Sequence, residues 1–147
     1  MRRVWIVALM MALLIAGCGG PAADTTVPDP PKATTFEKSG VATIDTVIER
    51  WKNDVPAEMK TQGIKDTPEQ PIVQKVYQST ASLQEIADFY KTLTEKGWIE
   101  APKMPGIQDN ILIAGYENGS TTLSIGALDA TKFGGSGVVI YTAKGTK

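Results

Sequence analysis

Ser82-Leu83-Gln84-Glu85-Ile86-Ala87-Asp88-Phe89-Tyr90-Lys91-Thr92-Leu93-Thr94-Glu95-Lys96-Gly97-Trp98 is the stretch in which the most local signals agree. Ser82 and Glu85 have the Ser-x-x-Glu spacing of a capping box, in which each side chain satisfies a backbone N–H left exposed near the other residue. Leu83, Ile86, Ala87, Tyr90 and Leu93 then recur at helical spacing and form one apolar stripe, with Phe89 at its edge. Gln84, Asp88, Lys91 and Glu95 fall on the opposite, wet side. Gly97 stands where a left-handed residue ends a helix, and Trp98 just beyond it is placed to pack back on Leu93. The Phe89–Tyr90 and Gly97–Trp98 pairs could be read as an aromatic binding platform. Helical spacing and the cap already account for them, which favours pinning this helix to a sheet.

The flanking sequence supplies that sheet. Ile72 to Gln78 has the β-branched and aromatic content of a half-buried strand, and Ile111 to Tyr116 reads as another. Asn118-Gly119 suits a tight hairpin turn with positive φ angles. On the returning strand Thr121, Leu123, Ile125 and Ala127 point one way, and Thr122, Ser124 and Gly126 the other. That alternation predicts a sheet with one buried and one wet face. Asp129 to Gly137 is a Gly- and Lys-containing connection, Val138 to Thr142 the closing strand, and Ala143 to Lys147 a polar tail. Trp98-Ile99 opens a short strand before Pro102, Pro105 and Gly106 impose a loop. Upstream, Val41, Ile44, Val47, Ile48 and Trp51 share a helical face, with Thr43 as a plausible N-cap. Pro56 should interrupt that helix, because it lacks a backbone donor and disfavours a helical Val55. The expected fold class is α+β: a small antiparallel sheet with one face covered by the capped helix, plus an N-terminal helix, in a single domain over 41–147.

The first residues address a different question. Met1-Arg2-Arg3 precedes an unbroken apolar run from Val4 to Ala16. Those 13 residues rise only about 20 Å as a helix, short of the roughly 20 residues that a bilayer core requires. A basic start and a short apolar stretch are the pattern of a secretory signal. Ile15-Ala16-Gly17-Cys18 resembles the lipobox of bacterial lipoproteins. The resemblance implies cleavage between Gly17 and Cys18, diacylglycerol on the Cys18 sulfur, and fatty acylation of the new amine. Two or three acyl chains, at about 0.8 kcal/mol per buried methylene, anchor a protein firmly. Residues 1–17 are then a lipoprotein signal peptide. Residues 18–40, rich in Pro, Thr, Ala and charge, are the lipidated cysteine and a disordered tether with an average span of about 25 Å. The expected location is the extracytoplasmic side of the cell membrane or outer membrane. Gly19 in place of Asp after the cysteine is compatible with outer-membrane sorting.

Composition narrows the chemistry. Without Arg2 and Arg3, 13 of the 15 basic residues remain against 16 acidic ones, a net charge of −3. Mild acidity without a basic patch gives no electrostatic footprint for nucleic acid. The chain has no histidine and one cysteine. Ser-His-Asp and Cys-His nucleophiles are therefore ruled out within it, as are zinc, copper and haem sites built on His or Cys. No cofactor or metal is expected. Phe133-Gly134-Gly135-Ser136-Gly137 lacks the Lys-Ser/Thr pair and following helix of a phosphate-binding loop. Glu49, Asp54, Glu58, Asp66 and Glu69 lack calcium-loop spacing.

What remains is a non-enzymatic reading. Loops on a rigid scaffold carry recognition, so Met104, Ile107 and Phe133 are candidate contacts for an envelope protein or cell-wall component. The alternative is a small-molecule site on the wet sheet face beside Tyr116, Ser124 and Tyr141. The run from Tyr77-Gln78-Ser79-Thr80 through Phe89-Tyr90 to Gly97-Trp98, followed by three strands, resembles small domains of bacterial envelope lipoproteins. It implies a helix-on-sheet domain and brings no activity with it. The same element order is similar to half of a vicinal oxygen chelate unit. Those enzymes ligate metal through His and Glu, and the lack of His here removes that implication.

Overall fold

The computed structural model describes residues 23–147; the leader and the Cys18 lipobox lie outside the described residues. An antiparallel sheet of seven strands and two helices make a small α+β fold. In chain order these are β1 (Ala33–Thr35), α1 (Ala42–Thr61), β2 (Val73–Ser79), α2 (Leu83–Lys91), β3 (Ile99–Glu100), β4 (Gly106–Gln108), β5 (Ile111–Asn118), β6 (Thr121–Asp129) and β7 (Val138–Thr146). Strand order across the sheet is β1-β2-β7-β6-β5-β3, and β4 pairs with the other half of β5.

α2 forms as its sequence dictates. The Ser82–Glu85 box is closed on both sides, with Ser82 N donating to Glu85 Oε2 at 2.7 Å and Glu85 N to Ser82 Oγ at 3.2 Å. A tight turn over Thr92–Lys96 extends the helix. Gly97, at φ 84°, then reverses the chain, so that Trp98 N reaches Leu93 O at 3.2 Å. Ile86, Tyr90, Leu93 and Trp98 are buried on Leu112, Ala114, Ile125 and Ile140. The register explains why those sheet residues share a face: Ala114 lies opposite Ile125, and Leu112–Ala127–Ile140 forms a row across three strands. At roughly 1.5–3 kcal/mol per fully buried large side chain, this layer is the main reward for folding α2.

The other face of the sheet is not wet. Val139, Tyr141, Ala143 and Leu128 point to it and are buried under α1 with Ile44, Ile48 and Met59. α1 approaches closely because Gly126 has no side chain: a β-carbon there would stand 3.0 Å from the Trp51 ring. Pro56 does not interrupt α1, which runs through it to Thr61. An internal proline costs about 3 kcal/mol. Burial of Met59 in the last turn and of Ile64 just beyond it, at roughly 1.5–3 kcal/mol each, is enough to offset that cost. The helix starts at Ala42, and Thr43 is not its cap. Ser39 N and Oγ both donate to Asp45 Oδ1, at 2.9 and 2.7 Å, and tie down the entry from outside the first turn.

Two boundaries also move. β7 continues to Thr146, so residues 143–146 are a paired strand and not a polar tail. From Ala23 onward the expected tether is a strap fixed to the domain. The Asp24 carbonyl accepts from Asn118 Nδ2 at 3.0 Å, Val27 packs on the α2-side core, and Ser79 Oγ donates to Pro31 O at 2.6 Å. β1 then pairs with β2, and Phe36 turns under α1. The strap thus crosses the α2 face from the β5–β6 turn to β2 and rounds the sheet edge. Proline stiffens this segment into one extended path, and the sequence signal for that path is the same as for a free linker.

Asp29 is the strap's charged fastening. The Tyr77 hydroxyl donates to its carboxylate, Lys75 Nζ lies 3.3 Å away, and together they hold the carboxyl below its ordinary value of 3.8. A lowered carboxylate stabilises the docked strap above that ordinary value, and the contribution is lost as pH falls through the lower folded value. Hydrogen exchange over residues 24–36, corrected for intrinsic rates, should therefore be unchanged by acidification down to 3.8 and accelerate below it. Tyr77→Phe should make that acid response shallower; an identical response in the variant would contradict the assignment.

Candidate functional site

α1 is one helix wide and covers β7 and part of β6, so the β5 side of the same face is left as a cleft of about 250 Å³. Its floor is low because the inward residues are small: Gly115 on β5 and Ser124 and Gly126 on β6, with Ser124 directly opposite Gly115. Trp51, Val55 and Met59 of α1 form one wall. Ala101 and Met104, from the connection between β3 and β4, form the other. Met104 leans inward over Gly115, where an added β-carbon would come within 2.8 Å of its Cε. Tyr141 closes the back, its ring centroid 6.3 Å from that of Trp51 and its hydroxyl donating to Gln74 Oε1 at 2.9 Å.

Polar groups collect at the mouth. Glu58 stands on the last turn of α1 and Gln62 just past its end, and Glu117 and Thr122 lie opposite each other next to the β5–β6 turn. Lys147 Nζ is 3.1 Å from Glu117 Oε1, which leaves Glu58 as the carboxylate at the mouth without a cationic partner among the described residues. The walls are therefore apolar and the rim mildly acidic. Among the described residues no side chain is hydrogen-bonded to Ser124 as a base, and no three acidic or cysteine side chains cluster as a metal site would require. Physically this is a cavity that removes apolar surface from water, with hydrogen-bonding and acidic groups at one end to orient what enters.

Of the residues singled out from sequence, the structure brings together Met104, Ser124 and Tyr141. Met104 remains 42 % exposed, whereas Tyr141 is buried and contributes an edge rather than an open surface. Tyr116 also borders the cleft, but its side chain lies with the opposite face: the register sets it against Leu123, not against Ser124, and it is buried under the α2 layer. The expectation that Tyr116 and Tyr141 share a wet face is thus corrected twice, in orientation and in exposure. Ile107 is exposed on β4 and borders a separate hollow of mixed polar and apolar lining beside α2, to which Tyr116 also contributes. Phe133 is not a free contact either; it is half-buried against Ile44 and Leu128. Trp51, Val55 and Met59 were not foreseen as site residues, although Gly115 and Gly126 within neighbouring strands carry the signal of a close approach.

The chain matches no family model, no curated protein and no solved structure. The cleft therefore has to be interpreted from its own chemistry.

All four tyrosines report the burial. Desolvation raises Tyr90 and Tyr141 well above their ordinary value and pushes Tyr116 up to about 12, and burial with the Asp29 contact raises Tyr77. Raised phenols stabilise the fold below the ordinary value of 10.0 and lose that contribution as pH rises toward the folded values. Near-ultraviolet titration should show much less tyrosinate in the native protein at pH 10.0 than four free phenols would give. Ionisation should appear together with alkaline unfolding, and a tyrosine titrating reversibly at its ordinary value would contradict the packing on both faces.

Proposed function

We propose that the protein is an exported lipoprotein, anchored through Cys18 on the extracytoplasmic side of its membrane, whose domain is a non-catalytic module that binds a small apolar ligand. The cleft between α1 and β5–β6 carries the reading. Among the described residues, its lining is mostly apolar side chains that the fold's own elements leave uncovered. An envelope protein as partner is the weaker alternative, since the exposed loop residues do not form one continuous surface: Met104 borders the cleft, Ile107 faces the α2 side and Phe133 is tucked in.

Several features support the non-catalytic part. Histidine is absent, the single cysteine has lipid as its expected fate, and among the described residues no side chain is placed to activate Ser124. Anchorage is supported by the basic start, the apolar run and the lipobox in order. A ligand-binding module needs only the apolar walls and a few orienting polar groups at the mouth.

Fluorescence titration with N-phenylnaphthylamine, a neutral apolar probe, tests the cleft, and mass spectrometry of the exported protein tests the anchor. The account expects saturable one-site binding in the wild type. Ser124→Phe, which raises the floor, should weaken it by about tenfold, the equivalent of roughly two buried methylenes. Unaltered binding in that variant, or none in the wild type, would remove the cleft from the account. The processed chain should begin at an acylated Cys18; an unmodified thiol there would remove the anchor.

A further inference from the structure

The strap and the cleft meet at one end of the molecule, and that coincidence bears on what the cleft binds. The chain coming from Cys18 joins the domain at the β5–β6 turn, where Asn118 Nδ2 holds the Asp24 carbonyl at 3.0 Å and Lys144 Nζ holds that of Thr25 at 3.5 Å. Only residues 19–23 separate Cys18 from Asp24. Six links of at most 3.3–3.6 Å bring the turn within about 20 Å of the anchored residue, however that segment is arranged. A lipid-anchored chain would therefore hold the β5–β6 end of the domain against the headgroup layer instead of suspending the domain on a long spacer.

The cleft runs to this same end. Its lining extends from the Ile113–Gly126 pair to the Glu117–Thr122 pair, and the next pair, Asn118–Thr121, closes the hairpin. Exposed apolar side chains also occur here. Ile99, 72 % exposed, pairs with Glu117 at the mouth, and Met104 forms the outer wall. Isolated exposed apolar residues are ordinary on a surface. Two of them beside an apolar recess, at the end the anchor holds against lipid, have a common physical use.

We propose that the cleft takes an acyl chain of a membrane amphiphile, drawn from the bilayer to which the domain is tethered. This rests on the reading of Cys18 as the anchor and of the cleft as the binding site. A volume of about 250 Å³ is below the roughly 300–1,000 Å³ of sites for drug-sized ligands and suits part of one linear chain. Among the described residues the cleft lining includes Glu58 and Glu117 and no lysine or arginine, and the neighbouring Lys147 is already engaged by Glu117. An anionic headgroup is disfavoured there. A headgroup bearing a free amine is matched, so a phosphatidylethanolamine or its single-chain form is the chemistry the site selects.

The test uses the lipidated full chain in vesicles of phosphatidylethanolamine and phosphatidylglycerol, with a diazirine on the acyl chain of the phosphatidylethanolamine alone. After irradiation, adducts are mapped by mass spectrometry. The proposal expects adducts on Trp51, Val55 and Met104, reduced by about tenfold in Ser124→Phe. Met104→Glu, at an exposed position that the fold does not require, should give the same loss and covers the case in which the first variant fails to fold. Adducts confined to Ile99 and the hairpin, with the cleft unlabelled, would overturn the proposal. Vesicle lipid carries the only diazirine, so occupation of the cleft by the protein's own acyl chains would also appear as an unlabelled cleft and overturn it. If the cleft still binds N-phenylnaphthylamine in that case, the reading of a small-ligand site survives and only the choice of ligand is wrong. If it binds neither, the site itself is wrong.

Discussion

Burial of β6 and β7 on both faces is the constraint on which the rest of the structure depends. Val138 and Ile140 face α2, while Val139 and Tyr141 face α1, so the closing strand is apolar without alternation. A strand of that kind is stable only inside three layers. One helix on each face cannot cover a seven-stranded sheet. On one face the shortfall is made up by the strap, which lays Val27 beside the α2 layer and is fastened through Asp29 and Pro31. On the other face no described residue makes it up over β5, and the cleft is what remains.

Seen this way, the segment before residue 40 has two roles that a spacer would not. It completes the core on the α2 face, and under the proposed anchorage at Cys18 it would set which end of the domain lies nearest the membrane. Its polar contacts are mostly exposed and individually weak, because solvent screens surface ion pairs. The buried Ser79 hydroxyl is the exception. It donates to Pro31 O and accepts from Ala81 N, so it ties the strap to the entry of α2 in one place.

What could be read from the sequence follows from the range of each interaction. The Ser82–Trp98 helix was legible because its start, stripe and stop are all written within a few residues of one another. The alternation in β6 was legible too: Leu123, Ile125 and Ala127 do face α2, and Thr122, Ser124 and Gly126 the other way. The wetness of that second face was not, since only the docking of α1 decides it, and Trp51 over Gly126 is a contact across 75 residues of chain. The continuation through Pro56 and the docking of the strap fail to show for the same reason. Local propensity disfavours a helix at Val55–Pro56 and favours a linker at 23–40, and tertiary burial of Met59 and Val27 overrides it. At the site, Ser124 and Tyr141 do share the face that holds the cleft, but that face is covered by α1 and Tyr141 is buried, where the alternation predicts a wet surface. Tyr116 was misplaced because it is counted from a different strand, and only the register settles which face it takes.

The central claim is that apolar matter enters between α1 and β5–β6. Methionine methyl groups test it most directly, because Met59 and Met104 are the methionines among the described residues and stand on opposite walls of the cleft. On ¹³C-methyl-methionine protein, a short-chain lysophosphatidylethanolamine titrated below its micelle concentration should shift both resonances together and to saturation. A shift of Met104 alone that grows without limit, or no shift of Met59, would mean that the ligand touches the surface and the cleft stays empty.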